Sequence, residues 1–135
     1  MKDCNCIFCK IANGEIPAKT VAENDWLRVV LDVAPATKGH ALILPKDHYQ
    51  NIYDLPEETA AEVIKMAKKL ATSMKEKLGC DGVNIVQNNE EAAGQTVFHF
   101  HMHVIPRYMS DGQKISWNPK QIAAEELEEV LKSLS

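Results

Sequence analysis

His99-Phe100-His101-Met102-His103-Val104-Ile105-Pro106 is the stretch that decides the fold and the chemistry of this 135-residue chain. Three histidines alternate with apolar residues. Successive side chains on a β-strand point to opposite faces, so the pattern predicts a strand with a histidine face and a packing face of Phe100, Met102 and Val104. Neighbouring imidazoles on such a face stand about 6.7 Å apart, far enough for each to take a separate task. Two kinds of site fit. Imidazoles can converge on a metal ion, with a further ligand from a neighbouring strand; or one can attack phosphorus while the others donate to phosphoryl oxygens. The polar lead-in from Asn88 through Gln95 and Thr96 favours phosphate, because amides and hydroxyls bind phosphate oxygens without a competing charge.

Working outward, residues 83–88 read as a strand, and residues 20–23 and 26–32 as an antiparallel pair turning at Asn24-Asp25. Residues 40–45 form a further strand, apolar enough to be buried on both faces. Asp54 as cap, Pro56 in the first turn and Glu57 three residues after the cap predict a helix start. Ala60, Val63, Ile64, Ala67, Leu70, Ala71, Met74 and Leu78 then recur at helical spacing until Gly79, one long amphipathic helix covering a sheet. Asn118 as cap with Pro119 predicts a last helix whose apolar face is Ile122, Leu127, Val130, Leu131 and Leu134. The expected class is α+β: one domain over residues 1–135, with five antiparallel strands, one long helix and a C-terminal helix.

Composition narrows the function. The chain is 45% hydrophobic and 25% charged with net charge −4, and its basic residues are scattered, which disfavours nucleic acid as a partner. No window approaches the roughly 18 apolar residues of a membrane span, and the first residues lack an apolar leader, so a cytoplasmic location is expected. In that compartment Cys6-Ile7-Phe8-Cys9 reads either as half of a tetrahedral metal site or as reduced thiols filling an apolar pocket. Asp32, at a strand end, is either a turn residue or an acceptor for ribose hydroxyls.

His99-Phe100-His101-Met102-His103-Val104-Ile105 resembles the His-φ-His-φ-His-φ-φ signature of the histidine triad (HIT) family. Gly94-Gln95-Thr96-Val97-Phe98 is similar to the lead-in of its Hint branch. The likeness extends to Asp32, Gly39-His40, Ile43-Leu44-Pro45-Lys46-Asp47-His48, Asn88 and Cys6-Ile7-Phe8-Cys9-Lys10-Ile11, and so covers nearly the whole chain. The resemblance implies a HIT-like fold and a nucleoside phosphoramidate or nucleotide hydrolase acting at the α-phosphate. A dinucleoside polyphosphate hydrolase, or a non-catalytic nucleotide-binding or partner-interaction protein, is the alternative. By position His101 is the nucleophile that forms a nucleotidyl-histidine, and His103 and His40 complete the catalytic set. Asp32, Asn88, Gln95, Thr96 and His103 are implied to hold a purine nucleotide. A structural zinc ion is implied at Cys6, Cys9, His48 and His99, with Cys4 as a rival thiol and Cys80 as a buried one. A homodimer is also implied, with Trp117 reaching the partner subunit's pocket.

Overall fold

The computed structural model describes residues 2–3 and 5–135, so Cys4 lies outside the described residues. Five antiparallel strands form one sheet in the order β1-β2-β3-β5-β4. They are β1 (Thr20–Glu23), β2 (Leu27–Leu31), β3 (Ala41–Pro45), β4 (Gly82–Val86) and β5 (Met102–Arg107). The helices are α1 (Ile7–Ala12), the long α2 (Glu57–Ser73) and the C-terminal α3 (Ala124–Leu134). No described helix is long and apolar enough to cross a membrane.

Strand alternation sorts the core into two layers. Leu27 and Val29 of β2, Ala41 and Ile43 of β3, and Val104 of β5 pack with Phe100 against Val63, Ala67, Leu70 and Met74. On the other face Val30, Leu42 and Leu44 pack against Ala12, with Phe8 and Ile11 of α1 alongside. All five residues of β3 are buried, as expected of a strand covered on both sides. In the ladder Leu42 pairs with His103 and Ile43 with Met102. Residues directly opposite in a ladder share a face, so His103 lies on the α1 side and α2 lies on the opposite face of the sheet.

Three expected boundaries move, each for a local reason. Residues 99–101 do not join β5. Pro45, at the end of β3, has no N–H to extend the ladder, and Phe100 N donates to Tyr49 O at 2.6 Å instead. Asp54 does not cap α2; its carboxylate accepts from Gln50 N and Asn51 N in the preceding turn, and Pro56 occupies the cap position. The last helix starts at Ala124, not after Asn118, and none of its residues is buried. Without a surface to pack against, propensity and a cap extend a helix only weakly.

At the other end of α2, a wider π-type turn (Met74–Leu78) ends at Gly79 in the left-handed conformation. This turn brings Leu78 against Gly39, just before His40. Gly39 has φ +101°, and a Cβ there would lie 2.8 Å from Leu78 Cδ1 and 3.1 Å from Pro106 Cγ. Gly39→Ala is therefore expected to destabilise the fold by about 1–3 kcal/mol, read as a lower urea midpoint at unchanged slope. An unchanged midpoint would show that this approach carries no constraint.

Candidate active site

The residues around His99 form two adjoining sites that share that residue. Cys6 caps α1, its Sγ accepting from Cys9 N at 3.4 Å, and this short helix sets both thiols toward His48 and His99. Cys6 Sγ and Cys9 Sγ each lie 3.4 Å from His99 Nδ1, and Cys9 Sγ lies 3.4 Å from His48 Nδ1. A tetrahedral zinc ion with ordinary Zn–S and Zn–N bonds would separate sulfur from nitrogen by about 3.5 Å, so the spacing fits. All four donor atoms lie within 4.8 Å of one another. The tautomer fits as well. His99 Nε2 donates to Pro45 O at 2.9 Å, which leaves Nδ1 with a lone pair facing the thiols. Burial pushes the Cys9 thiol up and His99 down to about 4, so the His99 ring is neutral, the form in which an imidazole can ligate a metal.

The second site begins at the carbonyl of the same residue. His101 Nδ1 donates to His99 O at 2.7 Å, so its Nε2 carries the lone pair. The Phe8 ring packs edge-on against His101, with centroids 4.9 Å apart, and so ties α1 to this imidazole. Burial pushes His101 below its ordinary value, keeping it neutral and nucleophilic.

His40 and His103 are joined through a directional relay. Ala36 N donates to His40 Nδ1 at 2.9 Å, so the His40 proton sits on Nε2. That Nε2–H faces His103 Nδ1 at 2.9 Å, with Asp32 Oδ2 at 3.5 Å. His103 Nδ1 is then an acceptor, and its proton lies on Nε2. Asp32, His40 and His103 cluster closely enough to invite a metal-site reading. The relay argues against it: a metal on His40 Nε2 would need the ring proton on Nδ1, where the Ala36 N–H already points. Burial, with His101 and His40 nearby, pushes His103 down to about 4, and burial also lowers His40.

The remaining expected site residues divide between this cluster and the loop before it. Asp32 joins the cluster, half-buried, with Oδ1 also accepting from Ala34 N at 2.9 Å. Asn88 is half-buried beside Gly94. Gln95 is buried and fully engaged: Nε2 donates to Gln50 O and Val97 O, and Oε1 accepts from Glu90 N at 2.8 Å. Thr96 is exposed and lines, with Cys6, His48 and Phe98, an open cleft of about 420 Å³ on the metal-cluster side. Trp117 is 83% exposed, and Cys80 is half-buried at the edge of the core. Sequence reasoning missed Phe8 and the backbone of Ala36 as parts of the site. Phe8 had a signal, its place between two cysteines; the Ala36 amide had none.

A family profile described as HIT domain matches residues 13–110. An uncharacterized HIT-like protein of Methanocaldococcus jannaschii is 46% identical over 129 residues, covering 96% of this chain and 98% of that protein. The adenosine 5'-monophosphoramidase of Schizosaccharomyces pombe is 36% identical, covering 97% of this chain and 96% of its own length. Among solved structures, a zinc-bound histidine triad family protein from Mycobacterium smegmatis superposes with a TM-score of 0.78 at 37% identity, over 96% of this chain and 91% of that one. The alternating histidines, the sheet that carries them and these similarities agree: the chain belongs to the HIT family.

Proposed function

We propose that the protein hydrolyses the P–N bond of purine nucleoside 5′-phosphoramidates, with His101 Nε2 as the nucleophile. The observation that carries this reading is the 2.7 Å bond from His101 Nδ1 to His99 O, which leaves a neutral imidazole with its lone pair on the outer nitrogen. The 5'-monophosphoramidase name of the fission yeast relative supports the substrate class.

In the first step the Nε2 lone pair forms a bond to the α-phosphorus. The P–N bond of the substrate breaks, and the amine leaves after gaining a proton. In the second step water attacks phosphorus, the P–Nε2 bond breaks, and nucleoside monophosphate and neutral His101 are regenerated. One water is consumed overall. His103 Nε2–H is the donor toward a phosphoryl oxygen or the leaving group, and His40 orients it. Asp32 accepts the ribose hydroxyls, while Asn88 and Thr96 address the phosphate side. Gln95 serves nucleotide binding by ordering the loop that carries them.

A zinc ion held by Cys6, Cys9, His48 and His99 would have a structural role, since four protein donors leave no open position for substrate. We also place the protein in the cytoplasm, as a single domain that works as a homodimer. The apolar face of α3, with Leu127 55% and Leu131 58% exposed, supports the dimer, because such a face on a lone chain calls for a partner surface.

Four outcomes test this reading. His101→Ala is expected to lower kcat by about 10³-fold or more while nucleotide affinity stays within a few-fold. A labelled nucleotide should be trapped on the wild-type chain by a denaturing alkaline quench and not on the variant; undiminished turnover in His101→Ala would overturn the assignment. Elemental analysis should find one zinc per chain, lost in Cys9→Ala together with part of the thermal stability; full zinc content in that variant would remove Cys9 from the ligand set. Light scattering should give twice the chain mass, and Leu127→Glu combined with Leu131→Glu should shift it toward the single chain. A dimer of unchanged stability in that double variant would free α3 from the interface.

A further inference from the structure

The chain leaving β5 folds into a brace whose far end returns to the histidine relay. Arg107 Nε and Nη2 donate to the two carboxylate oxygens of Asp111, at 2.8 and 2.9 Å, and Nη1 donates to Asn84 Oδ1 at 2.7 Å. The Arg107 guanidinium holds the Asp111 carboxyl well below the usual carboxylate range, so the pair stays ionised. Asp111 also accepts from Tyr108 N and Gln113 N, both at 3.0 Å, and Arg107 Nη2 reaches Gln113 O at 2.6 Å. The backbone of Gln113 is therefore gripped by both members of the ion pair. Its side chain extends from that fixed point to the loop ahead of His40, where Nε2 donates to Ala36 O at 2.9 Å.

Ala36 is the residue whose N–H selects the His40 tautomer. Two other bonds tie the same loop to the same segment: Thr37 Oγ1 to Pro106 O at 2.5 Å, and Tyr108 Oη to Lys38 O at 3.3 Å. Of the three, only the Gln113 bond holds Ala36 itself. The chemical stake is the direction of the relay. With the Ala36 N–H on His40 Nδ1, His40 donates to His103, and His103 shows a donor on Nε2. If that N–H drifts away, the proton can move to His40 Nδ1. His103 then donates back to His40 Nε2 and turns a lone pair outward, which repels phosphoryl oxygens.

We propose that Gln113 is a positioning residue for the histidine relay: braced by Arg107 and Asp111, it fixes Ala36 and thereby keeps His103 Nε2 a hydrogen-bond donor toward the substrate. The kinetic consequence rests on the hydrolase reading above; the consequence for the tautomers does not.

The test compares full-length wild type, Gln113→Glu and Tyr108→Phe. Glutamate keeps the reach of Gln113 but cannot donate to Ala36 O, whereas Tyr108→Phe removes a tether of the same loop without touching Ala36. Ring-nitrogen NMR shifts of His40 and His103 at neutral pH should show a single Nε2–H tautomer for both residues in wild type and in Tyr108→Phe. In Gln113→Glu both should move toward a mixture of tautomers. With a phosphoramidate substrate, kcat in Gln113→Glu should fall by about two- to tenfold, the range of one exposed hydrogen bond, at nearly constant KM. Unchanged tautomers in Gln113→Glu would overturn the proposal. So would equal tautomer mixing in Tyr108→Phe, which would mean that any tether of the loop suffices. Absence of turnover in wild type would overturn the hydrolase reading alone, since the NMR comparison still decides the role of Gln113.

Discussion

The structure depends on the burial of one imidazole. His99 is fully buried, and a polar ring in that position is tolerated only if its nitrogens are satisfied. Pro45 O takes the Nε2 proton, and the thiols of Cys6 and Cys9 face Nδ1. The backbone carbonyl of the same residue holds the ring of His101. The thiol cluster and the proposed nucleophile are thus two bonds to one residue. A shift of His99 that relaxed either bond would strain the other, so the cluster at the N-terminal helix acts as an anchor for the His101 ring.

That anchor works because the sheet separates support from chemistry. Val29, Ile43 and Val104 face α2 and make the larger core layer, while Leu42 and Leu44 face α1. His103 shares the face of Leu42, its ladder partner, and Phe8 of α1 caps His101 on that side. The long helix stabilises the sheet from behind and contributes no group to the relay. Its reach is felt only at its end, where Leu78 closes on Gly39 next to His40.

What the sequence revealed and what it hid follow from the range of the forces involved. Strand alternation and helical periodicity are local, and they located β1, β3, α2 and the two faces of the triad. The cysteine pair, His48 and His99 were brought together as the family resemblance implied, because motif residues carry long-range information that periodicity does not. The misread boundaries are places where a tertiary partner outbid a local one. Asp54 closes a turn instead of capping a helix, and Pro45 ends the ladder that would have extended β5 to His99. The loop before the triad is the sharpest case. Glu90 sits at φ +73°, ψ 162°, a region that suits glycine, and Gln95 holds it there through Glu90 N. From sequence Gln95 reads as a donor for phosphate; in the fold its Nε2 donates to Gln50 O and Val97 O while its Oε1 holds the strained turn at Glu90.

The three triad histidines and His40 are the same residue type, yet their ring protons are not all on the same nitrogen, and the placement comes from backbone groups that side-chain identity cannot encode. Pro45 O puts the His99 proton on Nε2, His99 O puts the His101 proton on Nδ1, and Ala36 N–H puts the His40 proton on Nε2. The tautomer of His103 then follows from its neighbour. A backbone carbonyl or amide is an unambiguous acceptor or donor, whereas a second imidazole or a hydroxyl can be either. Choosing tautomers with the main chain therefore removes the ambiguity that four adjacent imidazoles would otherwise share. It also moves the choice of tautomer onto residues such as Ala36, whose side chain has no chemistry and whose position is set by whatever holds the loop.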